Sequence, residues 1–468
     1  MTSPSRSIEN KLNRSKMEEK GISLFTFLKG EITRGYHFQE NKELYSEKQN
    51  RVLTFMRTPR ELEKLMFFGV MIMFDSFLLI FSFLPIRVAW ACLVLVFQFL
   101  TCRRLTVLPT HKWDIARGLM LVVCVVGMGY VDTSQVYHLV RGQSVIKLYV
   151  IYNMLDIFDR LAASIGQDVL DSFYWVLSEK TQRKRDVLSV LFYGIIGTAY
   201  IFIHAVLVLC QAVTLNVAIN SHNKALLTVL VSNQFVELKG NVFRKFDVNN
   251  LFQMSSSDIR ERFHYLILLS IVMMRNLAQF QWNLDHLHTL LPLIVIIFVS
   301  EVFIDWIKHG FITKFNSISP FVYRKYAVIL ARDLTNSQNK LSHSQYSDLV
   351  SRRMGFTPLP LTCLLLQTLL TFITFPGFYG KLLLAITFAC LVSLKTLMGI
   401  LLLGVACGQR SQEKEEEKEE EGKEGTPTTS RTVSNIGLLS TEGGDENRTT
   451  TTDLSKIERY SLCSNRIV

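Results

Sequence analysis

The run from Val187 to Val213 limits the fold of this chain more than any other feature, because it contains no Asp, Glu, Lys or Arg. A helix needs roughly 20 apolar residues to cross a bilayer. The hydrocarbon core offers no water to backbone polar groups, so a spanning segment must satisfy them internally. The block therefore reads as a transmembrane helix. Leu287 to Ile307 is a second clear span, with acidic residues near its end. Leu65 to Leu84, Leu359 to Phe375 and Leu382 to Cys407 share the composition, and the last two form a hairpin turned at Pro376 and Gly377. The strong segments number about five or six, and the weaker ones bring the total to about eight. The 468 residues are 49% hydrophobic, and that surplus is gathered into blocks. The expected fold class is an all-α polytopic integral membrane protein, with about 6–8 transmembrane helices, amphipathic interfacial helices and disordered tails.

The weaker segments are read from their periodicity. Pro85 should break the first span, making Val88 to Cys102 a return leg and placing Arg87 at the tip of a tight hairpin. Arg103, Arg104, Lys112 and Arg117 then mark a basic cytosolic loop. Gly127 and Gly129, in the short block Leu119 to Val131, predict close helix approach. From Ile146 to Val176, Leu155, Phe158, Ala162, Ile165 and Val169 recur at helical steps, opposite Asp156, Asp159, Arg160, Gln167 and Asp171. That pattern predicts a helix lying at the interface or packed on the bundle, not a span. Residues 214–262 are semi-polar, with an apolar core at Ala225 to Val231 and basic residues at Lys239, Arg244 and Lys245. Asp258 and Glu261 read as a capping box opening a helix over Phe263 to Ala278, re-entrant rather than spanning. Residues 308–356 predict two or three helices facing the soluble phase. The chain is thus organised as a polar, largely disordered segment 1–50, a multi-span domain 51–407, and an acidic low-complexity tail 408–468. Within the membrane domain, 146–176, 214–262 and 308–356 are the amphipathic or polar inter-span segments.

Charge follows the same division. The net +11 conceals a tail that, from Gln409 onward, has 9 Lys and Arg against 13 Asp and Glu, leaving 42 against 27 upstream. Basic loops suit the cytoplasmic leaflet, and no nucleic-acid-binding module accompanies them. The first 64 residues carry 13 Lys and Arg with no apolar signal region, so the first span is expected to act as the targeting signal. Both tails are placed in the cytosol, leaving the sequons at Asn13 and Asn447 unused. The eight cysteines show no paired spacing, which argues for small packing side chains over a disulfide framework or zinc site.

Candidate functional residues are ionisable groups inside apolar blocks, where charge is costly. Asp75 and Lys395 lie within spans, while Glu301, Asp305 and His309 share one helical face with Lys308 beside them. The group reads either as a proton, cation or metal pathway or as interhelical pairing near the end of a span; the pairing reading is adopted. Asp156 and Arg160 can pair along their helix. His204, His286 and His288 are expected to be buried and hydrogen-bonded. No P-loop, dinucleotide-binding glycine pattern, nucleophile elbow or zinc-protease spacing is present, so no enzyme, cofactor or metal is expected.

The middle of the chain also carries a resemblance. The blocks YNMLDIFDRLAASIGQDVLD (Tyr152 to Asp171), LNVAINSHNK (Leu215 to Lys224), SNQFVELKG (Ser232 to Gly240), NNLFQMSSSDIRER (Asn249 to Arg262), KHGFITKFN (Lys308 to Asn316) and RRMGFTPLP (Arg352 to Pro360) occur in this order. Together they resemble the transmembrane anterior posterior transformation family, also described as the Tapt or cytomegalovirus gH-receptor family. The likeness covers roughly residues 50–405. It implies a multi-pass protein of the endoplasmic reticulum membrane or the ciliary base and centrosome, without established enzymatic activity. Animal members are connected with ciliogenesis and patterning, and fungal relatives with protection of new lumenal proteins. The expectation is a scaffold or adaptor whose partners are the lipid bilayer and other proteins, not nucleic acid. The alternative is an ion or small-solute transporter or channel using Asp75, Glu301, Asp305 and Lys395.

Overall fold

A computed structural model describes residues 25, 28, 32, 42–101, 109–178, 184–220, 238–339, 346–372 and 377–424. Outside them lie Arg103 and Arg104, Ala225 to Val231, Pro376, both sequons and the tail beyond residue 424. The chain divides into two compact units, residues 1–53 and 54–468. In the first, the described turns of helix show Arg51 paired with Glu47 at 2.6 Å. All that follows concerns the second.

Every regular element among the described residues is an α-helix. In chain order they are α1 (Lys42–Thr101), α2 (Pro109–Gly129), α3 (Thr133–Arg141), α4 (Val145–Ser178), α5 (Lys184–Asn220), α6 (Val248–Gln279), α7 (Leu284–Phe315), α8 (Val322–Asn339), α9 (Tyr346–Arg353), α10 (Pro358–Phe372) and α11 (Gly377–Glu424). Four helices, α1, α5, α7 and α11, are long and apolar enough to cross a membrane, and the pair α2–α3, bent by 59°, makes a fifth if it is one span.

Two expectations are corrected here. The hairpin predicted at Pro85 does not form: α1 runs straight through both Pro59 and Pro85. Proline removes one helical hydrogen bond, but helices at membrane depth tolerate it where neighbouring groups re-satisfy the backbone. Nor do Asp258 and Glu261 open a helix. Asp247 does, its carboxylate accepting the Val248 N–H at 2.8 Å, and Phe263 to Ala278 is the second half of the continuous α6 rather than a separate re-entrant segment. In the segment 308–356, Tyr323, Tyr326, Leu330 and Ser351 are fully buried against neighbouring helices, so it packs more deeply than its polarity suggests.

Helix ends follow local chemistry. Asp132 caps α3 by accepting the N–H groups of Ser134 and Gln135, and Asn283 caps α7 by accepting that of Asp285. The segment RRMGF closes α9 in a Schellman turn: Phe356 N–H reaches Ser351 O at 3.0 Å and Gly355 N–H reaches Arg352 O at 2.8 Å. Gly355 takes φ 81° there, a conformation in which a β-carbon is penalised.

The helices pack with their polar sides inward. On α4, Phe158 and Ile165 of the predicted apolar stripe are about half exposed or more, as are Ile157 and Leu161, the stripe's Leu155, Ala162 and Val169 are partly buried, and Gln167 and Ala163 are buried. A soluble helix does the reverse. The arrangement suits a lipid surround, where apolar side chains lose nothing by pointing outward and charges must find partners within. Small residues permit close approach. A β-carbon on Gly166 of α4 would overlap the Tyr200 ring of α5, and one on Gly69 of α1 would lie 2.6 Å from Ile259 of α6. Gly127 of α2 meets Phe202 as the sequence predicted, whereas Gly129 has ordinary room.

Candidate functional site

The interior holds a chain of charges between α6 and α7. These helices run antiparallel here, so Asp258 and Arg262, one turn apart on α6, face His309, Lys308 and Asp305 on α7. Asp258 Oδ2 lies 2.9 Å from Lys308 Nζ and 2.7 Å from His309 Nε2. Lys308 also reaches Asp305 Oδ1 at 3.0 Å. Arg262 donates from Nε to Asp305 Oδ2 at 2.7 Å and from Nη1 to Glu63 of α1 at 2.8 Å. Glu63 further accepts the Trp306 indole N–H at 2.6 Å, and His309 Nδ1 meets the Tyr323 hydroxyl of α8 at 2.9 Å. Asp258, Arg262, Asp305, Lys308 and His309 are all buried. Burial alone would raise the Asp258 carboxyl, but Lys308 and His309 together hold it well below the usual carboxylate range. Three carboxylates thus face two permanent cations and one imidazole, so a proton on His309 brings the array to neutrality.

A second, separate pair joins α1 to α11. Lys395 Nζ lies 2.7 Å from both oxygens of Asp75, and the two residues are 320 positions apart. Below it on α11, Met398, Leu402 and Ala406 form a buried stripe, and Glu413 pairs with Arg332 of α8 at 2.9 Å.

A third cluster centres on the eight residues of α9. Asp348 lies 3.6 Å from Arg117 of α2, accepts from Ser76 of α1 at 3.4 Å, and sits 3.4 Å from Arg352. Arg352 in turn pairs with Asp171 of α4 at 2.5 Å, and its carbonyl accepts from Gln167 at 2.7 Å. Arg353 pairs with Asp333 of α8. Arg117, read from sequence as part of a basic loop, is instead fully buried, its guanidinium also 5.9 Å from the Trp113 ring. On the opposite flank, His204 bonds Tyr200 at 2.9 Å and Asp159 of α4 at 2.8 Å, beside a cavity of about 20 Å³ that Arg260 and His264 also line.

The four residues singled out from sequence therefore separate. Asp75 and Lys395 meet each other; Asp305 belongs to the α6–α7 array; Glu301, buried one turn before Asp305, is within electrostatic reach of Tyr152 and Tyr265, whose hydroxyls bond at 2.9 Å. Asp156 and Arg160 pair along α4 as expected, and Arg160 extends to Glu261 of α6 at 3.0 Å. His204 is buried and hydrogen-bonded, but His286 is only half-buried against Phe280 and His288 is exposed at the start of α7. Glu63, Asp258, Arg262, Arg117 and Asp348 escaped sequence reasoning, because each stands in a semi-polar segment where a charge carries no warning. Among the described residues, no three His, Cys, Asp or Glu side chains converge so as to hold a metal.

Long apolar helices facing outward and charges paired within define an all-α, multi-pass membrane protein. Residues 107–411 match the eukaryotic membrane protein family. The chain is 49% identical over 405 residues to the transmembrane anterior posterior transformation protein 1 homolog of Gallus gallus, covering 84% of this chain and 69% of that one. It is 44% identical to the Mus musculus protein of that name and 43% identical to the Homo sapiens homolog, in each case over 95% of this chain and 88% of the relative. The chain belongs to the transmembrane anterior posterior transformation family. No solved structure matches it.

Proposed function

We propose that this protein is a non-enzymatic membrane scaffold or adaptor of the endoplasmic reticulum membrane, the ciliary base or both, acting through protein partners in ciliogenesis, developmental patterning or lumenal protein quality control. The observation that carries the reading is the mutual pairing of the interior charges: Asp75 with Lys395, Arg262 with Asp305 and Glu63, and Asp348 with Arg117. Each pair ties different helices together, as fasteners of a fixed body do. The names of the relatives, which refer to anterior–posterior transformation, favour a developmental role. Purification of the tagged full chain from its native membranes in mild detergent tests the reading. A stoichiometric protein companion supports it, and a companion-free homo-oligomer counts against it.

The span count is proposed as about six to eight, starting from the four long helices and the bent pair α2–α3, with α4 a further candidate. Contacts with α5 support the last. Met120, Cys124 and Gly127 of α2 meet Gly197, Thr198 and Phe202 in rising order, so α2 and α5 run parallel. Asp159, Gly166 and Phe173 of α4 meet His204, Tyr200 and Gly194 in falling order, so α4 runs back between them through the same depth. An even count puts both tails on one side, taken as cytosolic. Tags inserted at 142–144 and 179–183 should report opposite sides of the membrane, and the same side for both would sink α4 as a span.

The transporter reading retains one favourable observation, the buried His309–Asp258 contact within a chain of ionisable groups. Proton flux through liposomes holding the purified chain, lost in Asp258→Asn, would establish it.

A further inference from the structure

We infer that the groove between α2 and α5 holds the acyl chain of an anionic membrane phospholipid. The cavity measures about 730 Å³. Its walls are stripes of the two parallel helices, from Lys112 to Gly127 on α2 and from Val190 to Phe202 on α5. At a rise of about 1.5 Å per residue each stripe extends roughly 20 Å, the reach of a lipid tail down one leaflet. The groove exists because Ala116, Gly127, Gly194 and Ala199 leave space where neighbouring positions carry Leu119, Val123 and Ile195. The polar groups within it are already satisfied locally: Thr198 donates to Gly194 O at 2.8 Å, and Cys124 donates to Thr198 O at 3.4 Å.

The exception is Lys112. It lines one end of the groove, half-buried, and among the described residues it has no hydrogen-bond or ion-pair partner. Because α2 and α5 are parallel, both helices begin at that end, and α5 opens with the sequence Lys184–Arg185. Two positive helix termini and an uncommitted ammonium above a dry apolar slot complement a lipid with a negative head. An extended protein segment fits less well, because its backbone polar groups would find no partners in so apolar a slot, and a helix about 10 Å across is too wide for it.

The test uses the full chain in phosphatidylcholine vesicles doped with photoactivatable phosphatidylserine or photoactivatable phosphatidylcholine, with crosslinked residues mapped by mass spectrometry. Crosslinks should concentrate on the groove rather than on the exposed face of α11, and should favour the serine lipid. Ala199→Trp, which fills the slot from an exposed position, should remove groove crosslinks while those on α11 persist. Leu119→Trp does the same from the facing helix if the first variant misfolds. Lys112→Glu, which changes the local charge by two units, should lower the anionic preference roughly 25-fold, each unit being worth about five-fold near an anionic surface. Groove labelling no denser than that on α11, or unchanged by the filling variants, would mean ordinary boundary lipid and overturn the site. An unaltered headgroup preference in Lys112→Glu would overturn the anionic assignment.

Discussion

The α1–α11 junction and the α6–α7 array solve one problem in different ways. Both remove charge from solvent and pair it, but among the described residues Asp75 and Lys395 have only each other as ion-pair partners, with the Phe83 ring 5.9 Å away. In the array, Asp258, Arg262, Asp305 and Lys308 each meet two ionisable partners. An isolated pair is all or nothing, whereas a chain of charges can lose a member and close around the gap. The difference also matches what each joins. The outer face of α11 is exposed for much of its length, and its inner face is held by the Asp75 bridge, the stripe Met398, Leu402 and Ala406 and the Glu413 pair, while α6 and α7 are also held by Phe263, Ile267 and their apolar neighbours.

The contrast predicts an order of effects. Lys395→Ala should be the most damaging single change, because it strands a buried carboxylate, and loss of one partner from a buried pair costs about 3–5 kcal/mol. Thermal unfolding in detergent would register it, and Asp75→Asn with Lys395→Met should restore most of the loss. If the double variant is no better than the single, α11 is not held by this bridge. Asp305→Asn should cost about 2 kcal/mol, since Lys308 retains Asp258 and Arg262 retains Glu63; a loss equal to that of Lys395→Ala would erase the distinction between junction and array. Acid should weaken the array next. Asp258 is held below the usual carboxylate range, so its contribution is fully present above about pH 4 and is lost as the pH falls below it. Asp258→Asn should flatten that part of the stability profile. The smallest effect belongs to Glu63→Gln at the partly exposed end, at or below about 1 kcal/mol, measurable by the same unfolding assay.

Much of this was legible in the sequence, and the limit has a physical cause. Val187 to Val213 and Leu287 to Ile307 reveal themselves because an apolar run of that length has few alternatives. Asp75 and Lys395 could be flagged for the same reason, as charges where none is cheap. Their pairing could not, since nothing local links residues 320 positions apart. On α4 the periodicity was plain while its sense was hidden: Phe158 and Ile165 define a face, but whether it points to core or lipid depends on the surrounding medium. Pro85 misled because its cost as a helix breaker was judged for water. Asp258 misled because an acid three residues before a glutamate fits a cap, and only the preceding turns up to Asp247 reveal a mid-helix position.

The eight residues of α9 have a consequence for biosynthesis. Ser76, Arg117, Gln167 and Asp171 find their interior partners in a segment that leaves the ribosome only after α1 to α8 have been made, and Asp75 waits longer still, until Lys395 emerges. For most of translation the nascent chain therefore lacks the partners that Asp348, Arg352 and Lys395 later bring to Arg117, Gln167 and Asp75. Closure of the bundle is a late event, set by the arrival of one short helix, and a ribosome stalled before residue 346 leaves an open assembly with its fasteners undone.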